Sequence, residues 1–199
     1  MTGAYIHLVR HCAHGDIGEI LSGRFGGGLT AEGRARAHWL AGEMARGEPI
    51  AAIHSSPQRR ALETADAIAE RLGLKVRVVA ALDEIDFGRW TGRSFTDLED
   101  DDGWRSWNAS RSTACPPDGE TMGAAVSRAV MHVEAVASGR PRAAVVCVSH
   151  CDIIRGIVAH YLGLGLDNLL RFDVDPGSIS TLIVGPWGGR VHMLNGETA

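Results

Sequence analysis

The feature that most constrains this chain is a repeated alternation of short apolar runs with longer segments of helical periodicity. Residues 4–9 are short and apolar and read as a buried strand. A glycine-rich loop with Gly26, Gly27 and Gly28 follows. Thr30 is a good N-cap, and Leu40 and Met44 continue an apolar stripe through Arg46, which predicts a helix. Residues 51–54 read as a second strand. Residues 57–72 read as a helix with Pro57 in its first turn and Gly73 at its end. The pattern repeats with a strand at 76–79, a helix at 121–138, the most apolar strand at 143–149 and a helix at 152–162. Two late strands follow at 179–184 and 191–194.

Such alternation predicts an α/β fold: a mainly parallel central sheet with helices on both faces. The expected organisation is one domain over residues 1–199. It carries an irregular, flap-like insertion over about 83–120, rich in aromatic residues (Trp90, Trp104, Trp107) and with room for one short helix. Composition agrees, with 45% hydrophobic and 22% charged residues in a chain of 199. The longest apolar runs, 143–148 and 179–184, are too short to span a bilayer. Residues 1–10 lack a basic stretch followed by a long apolar one, so a cytoplasmic location is expected. The four cysteines are too few for a disulfide scaffold and are expected to be reduced. The net charge of −4, from 20 basic and 24 acidic residues, argues against general nucleic-acid or anionic-membrane binding. The state expected in solution is a monomer or homodimer.

Three chemically loaded clusters fall at strand ends: Arg10-His11-Cys12, the segment 54–60, and Ser149-His150-Cys151. In open parallel sheets ligands bind beyond the C-terminal ends of the strands, so distant segments are expected to meet at one rim. Two histidines and arginines there suggest phosphate chemistry. A neutral imidazole is a nucleophile near pH 7, and a guanidinium offers a fixed fork of donors to phosphate oxygens.

The blocks along the chain resemble the histidine phosphatase superfamily, the phosphoglycerate-mutase-like enzymes, and within it the small phosphatase branch. Leu8-Val9-Arg10-His11 is similar to the family's opening. Ser22-Gly23-Arg24 and Gly28-Leu29-Thr30-Ala31-Glu32-Gly33 are similar to its loop and first helix. Ser55-Ser56-Pro57-Gln58-Arg59-Arg60-Ala61 resembles its second block, and Leu82-Asp83-Glu84 with Phe87-Gly88-Arg89-Trp90 its third. Pro117-Asp118-Gly119-Glu120-Thr121 resembles a loop of the smaller phosphatases, and Val148-Ser149-His150 with Ile154-Arg155 the last block.

The resemblance implies a phosphomonoester hydrolase that forms a phosphohistidine on His11. Arg10, Arg60 and His150 would hold the phosphoryl oxygens, and Glu84 would donate the proton, with Asp83 and Asp86 as rivals for that role. Arg24 falls at a substrate-loop position. The implied partner is a small phosphorylated substrate, and no cofactor or metal is implied. A phosphoglycerate-type mutase and a catalytically inactive binding module are the alternatives. The chain departs from the family where Cys12 and Cys151 replace glycines after the two key histidines. It departs again at His14, which replaces a small hydroxyl residue, and at Ile17, which replaces an asparagine.

If their strands are neighbours, Cys12 and Cys151 can pair as a reversible disulfide that blocks the site. His11, Cys12, His14, Cys147, His150 and Cys151 are also donors that zinc accepts. Adjacent residues in a strand, however, point to opposite faces, and no CxxC knuckle is present. Trp104, Trp107 and Arg111 are expected in the flap over the pocket, chiefly as packing residues.

Overall fold

The strand β4 (Ala144–Ser149) is buried at all six positions and forms the centre of the molecule. In the computed structural model, which describes residues 2–197, it lies between β1 (Ala4–Arg10) and β2 (Ile50–Ser55), parallel to both. β2 in turn pairs in parallel with β3 (Val76–Val78). On the other side, β5 (Ile179–Gly185) runs antiparallel to β1, and β6 (Gly188–Gly196) antiparallel to β5. The sheet order is β3-β2-β4-β1-β5-β6. The sheet is therefore mostly parallel, as expected, with an antiparallel hairpin added at one edge. The hairpin is antiparallel because β5 and β6 are joined by a tight turn, which leaves no room for a crossover. β6 is longer than the expected 191–194 because its side chains alternate between partly buried and exposed, so its ends carry no apolar signal.

Alternate residues of the strands feed two cores. Val9, Ile53, Val146 and Val148 face α1 (Ala31–Met44) and α2 (Arg59–Leu72), which contribute Leu40, Met44, Ala65 and Ile68. Ile6, Leu8, Val145 and Cys147 face α5 (Met122–Gly139) and α6 (Cys151–Leu162), which contribute Ala129, Val133, Ile154 and Ile157. Each fully buried aliphatic side chain of this kind stabilises the fold by about 1.5–3 kcal/mol. Burial on both sides explains why β4 is uniformly apolar rather than alternating.

The helix ends follow local chemistry. Thr30 caps α1 by accepting a bond from the Gly33 amide at 3.0 Å. Gly73 (φ +67) closes α2 and Gly163 (φ +65) closes α6, both in the left-handed conformation. α2 starts at Arg59, so Pro57 precedes the helix instead of occupying its first turn. The Ser56 hydroxyl accepts from the Gln58 amide at 3.2 Å, forming a turn that takes the place of the earlier helical turn. The segment after Asp83 holds two short α-helices, not one: α3 (Phe95–Glu99) and α4 (Asp102–Ala109). Ser94 and Asp101 cap them, a signal that the aromatic character of the segment masked. Among the described residues, no helix is long and apolar enough to cross a membrane.

α1 approaches the loop after β1 so closely that a Cβ on Gly33 would lie 2.1 Å from the Ala13 carbonyl oxygen. Alanine favours a helix interior over glycine by about 1 kcal/mol, but overpacking against backbone costs about 1–3 kcal/mol. Gly33→Ala is therefore expected to lower the urea midpoint. An unchanged or raised midpoint would show that the loop yields freely.

Candidate active site

β1 and β4 end side by side, with Arg10 opposite Ser149 in the register. The next residue on each strand is a histidine. The His11 amide donates to the Ser149 carbonyl at 3.0 Å, which continues the pairing by one residue and fixes both side chains at the rim. Their rings lie 5.1 Å apart, and both are buried. The N-terminus of α2 delivers Arg60 between them, also buried.

The hydrogen bonds assign the tautomers. His11 Nδ1 lies 2.9 Å from the Cys12 carbonyl oxygen, which can only accept, so Nδ1 carries the proton. His11 Nε2 is then a free lone pair, and Arg60 Nε donates to it at 3.3 Å. Arg60 Nη2 stands 3.2 Å from His150 Nδ1, so that nitrogen accepts. His150 Nε2–H then donates to the Ser56 hydroxyl at 2.7 Å, and Ser56 donates to Asp83 Oδ1 at 3.2 Å. Arg60 is itself anchored by the Gly23 and Phe25 carbonyls at 2.6 and 2.9 Å. The loop presents these carbonyls with the help of Gly26, whose φ of +117 falls in the region that favours glycine. Arg10 is held by the Val174 carbonyl at 2.7 Å.

These groups open into a cavity of about 350 Å³, lined by Arg10, His11, Arg60 and Glu84. Burial lowers the pKa of His11 well below its ordinary value, and the charge of Arg60 adds to the effect. Burial lowers His150 in the same way, reinforced by His11 and Arg60. Glu84 moves in the opposite direction. Burial, with the negative charge of Asp152 behind it, pushes its carboxyl up to about 8. Its Oε1 accepts from the Ile85 amide at 2.9 Å. At neutral pH the cavity thus presents a neutral imidazole lone pair, a protonated carboxyl and the guanidinium groups of Arg10, Arg60, Arg111 and Arg155.

Several sequence expectations change in this light. Asp83 does not line the cavity. Its carboxylate receives Ser56, Gln58 and the Glu84 amide, which makes it the anchor of the His150 relay. Asp86 is turned outward onto Arg24 and the Gly88 amide. Arg24 is likewise absent from the cavity wall. It donates to the Glu84 carbonyl at 2.9 Å and to Glu120 at 2.7 Å, and so buttresses the Glu84 loop from behind.

Cys12 and Cys151 do not pair. Cys12 packs with Leu29, Ala37 and Ala67 beneath α1 and α2, while Cys151 packs on the core beneath α6. Nor do the six zinc donors gather. Cys147 lies with His54 and His132, which is the sole group of three such ligands among the described residues. His14 and Ile17 do line the cavity. Trp107 is a core residue, as expected, but Trp104, Asn108 and Arg111 form part of the wall, where Arg111 pairs with Asp152 at 3.1 Å. The Ser56 link is invisible in the sequence, although Ser56 lies within the segment 55–61, because its partners are 27 and 94 residues away.

A sequence profile of the histidine phosphatase superfamily (branch 1) matches residues 6–197. The chain belongs to that superfamily. Phosphoserine phosphatase 1 of Hydrogenobacter thermophilus is 30% identical over 156 residues, which span 77% of this chain and 74% of that one. A bifunctional protein of Mycobacterium tuberculosis is 35% identical over 161 residues, 80% of this chain. The matched part is only 44% of that relative's length. The crystal structure of a mycobacterial glucosyl-3-phosphoglycerate phosphatase superposes with a TM-score of 0.85 at 25% identity, covering 98% of this chain and 99% of that one.

This histidine phosphatase superfamily member is expected to depend on Ser56 for the placement of His150. Ser56→Ala leaves the buried Nε2–H without its hydroxyl partner, at a cost of about 1–3 kcal/mol in urea denaturation. A loss under about 0.5 kcal/mol would show that another group takes the proton.

Proposed function

We propose that this chain hydrolyses a small phosphate monoester through a phosphohistidine on His11, with Glu84 as the proton donor. The phosphatase class rests on the family profile and on relatives named as phosphatases. The observation that carries the mechanism is the bond from His11 Nδ1–H to the Cys12 carbonyl, which leaves Nε2 as a lone pair beside Arg60. In the proposed first step Nε2 attacks phosphorus while the ester P–O bond breaks. The Glu84 proton passes to the leaving oxygen. In the second step a water attacks the phosphohistidine, its proton goes to the Glu84 carboxylate, and the P–N bond breaks to return neutral His11 and free phosphate.

Arg10 and Arg60 supply the fixed positive charge that meets the equatorial oxygens. His150, whose Nδ1 accepts from Arg60 and whose Nε2–H donates to Ser56, holds Arg60 in place from behind the cavity wall. Arg24 acts only by supporting the Glu84 loop. Ile17, Leu21, Phe87, Phe95 and Trp104 give the cavity an apolar wall. Its volume of about 350 Å³ suits a metabolite-sized ester and not a folded protein.

The pH dependence follows from the two shifts. Protonation inactivates His11 only below its lowered pKa, well under 6.5. Glu84 loses its proton near 8. The expected kcat/KM profile on p-nitrophenyl phosphate is therefore flat through neutrality and falls on the alkaline side.

Turnover assays test the reading. His11→Ala abolishes turnover and the acid-labile phosphoenzyme. Glu84→Gln lowers kcat about 10²–10⁴-fold on alkyl phosphates, less on p-nitrophenyl phosphate with its better leaving group, and removes the alkaline limb. Activity retained in His11→Ala would overturn the mechanism. A folded wild type inactive on every small phosphate ester would favour the binding-module alternative.

A further inference from the structure

A second group of donors lies on the α5 side of the sheet. His54 on β2 is in register with Cys147 on β4, so both side chains project from the same rung. α5 places His132 over them. His54 Nδ1 and His132 Nε2 are 3.0 Å apart. One ring nitrogen of each histidine and Cys147 Sγ all lie within 4.8 Å of one another. His54 and Cys147 are buried and His132 is half-buried. A separate cavity of about 470 Å³ reaches both imidazoles, and no residue lines both this cavity and the one at His11.

We propose that His54 Nδ1, His132 Nε2 and Cys147 Sγ form a site for a thiolate-accepting divalent cation of the zinc class. Zinc–nitrogen distances of about 2.0–2.1 Å and a zinc–sulfur distance of about 2.3 Å place tetrahedral donors about 3.3–3.6 Å apart. The histidine pair, 3.0 Å apart, needs to open by about 0.3 Å, and the sulfur, within 4.8 Å of a ring nitrogen of each histidine, to close by up to about 1.2 Å. Three protein donors leave the fourth position facing the cavity, as in open zinc sites. Both imidazoles are neutral in the metal-bound state with their proton on the nitrogen that does not bind, and the histidine that donates in the metal-free pair moves its proton to its other ring nitrogen, through water, to reach that state. Binding releases one proton, that of the Cys147 thiol, to water. Arg77, in register beside His54, and Arg140, on the wall of the same cavity, oppose a cation. The thiolate offsets one of these charges, and an anion in the fourth position would face both guanidinium groups. Without a metal, the same residues make a histidine–histidine hydrogen bond above a buried thiol.

Cobalt(II) added to the chelator-stripped full chain separates the two states, because the readout is independent of phosphatase activity. The expected result is one equivalent bound, with the intense visible bands of tetrahedral cobalt and a near-ultraviolet thiolate-to-cobalt band. The thiolate band disappears in Cys147→Ser. In case that core substitution fails to fold, His132→Gln on the half-exposed face of α5 is the second variant. It is expected to weaken binding at least about 10-fold, since loss of even an outer-shell partner costs 10–100-fold. His11→Ala is expected to bind cobalt as the wild type does. Absence of a thiolate band in the wild type would overturn the proposal. So would a signal that survives His132→Gln and vanishes in His11→Ala, which would place the cation at the phosphatase rim.

Discussion

The buried guanidinium of Arg60 holds the rim together. Its donors reach His11, His150 and the carbonyls of Gly23 and Phe25, so one side chain joins the ends of β1 and β4 to the loop before α1. Four acceptors engage four of its five N–H donors, and none of them is a counterion. The carboxylates of Asp83 and Asp16 act on it through space. A buried charge with satisfied geometry and no partner ion is costly to keep. Its charge is fixed at the cavity before any anion arrives, and the Nε–H that now meets His11 is the donor an anion would take over when His11 Nε2 is freed.

Dehydration of the same rim sets both protonation states at once. Burial disfavours whichever form of a group is charged. For His11 that means the neutral, nucleophilic imidazole, and for Glu84 the neutral, proton-bearing acid. Read from residue types alone, the two requirements pull pH in opposite directions. In the folded chain one cause acts on both, and the proposed mechanism needs each of them neutral. Asp152 sharpens the effect on Glu84, while its own contact with Arg111 keeps it fixed.

What the sequence made legible was local. The apolar runs located the strands, and the order of alternation implied helices on both faces. The motif blocks brought His11, Arg60, Glu84 and His150 to one rim. What it hid depends on partners distant in the chain. The antiparallel placement of β5 beside β1 comes from tertiary pairing, not from any pattern within 179–184. Asp83 reads as a catalytic rival until its bonds to Gln58 and Ser56 are visible. Arg24 looks like a substrate ligand until Glu120, 96 residues on, claims its guanidinium. Matched positions along two neighbouring strands suggested that Cys12 and Cys151 meet, yet their side chains belong to opposite sides of the sheet.

The position of β4 has a consequence for the order in which the molecule is assembled. β1 and β2 are close in the chain but do not touch in the sheet, because the strand that separates them is synthesised about ninety residues after β2. As the chain leaves the ribosome, β1 waits with both edges unpaired and β2 with one, or the two pair wrongly with each other. Insertion of β4 joins them and carries His150 to Arg60 in the same event. A chain halted short of that strand therefore lacks the middle of the sheet and the contact of His150 with Arg60, and the rim is finished only when the later segment brings the Val174 carbonyl to Arg10.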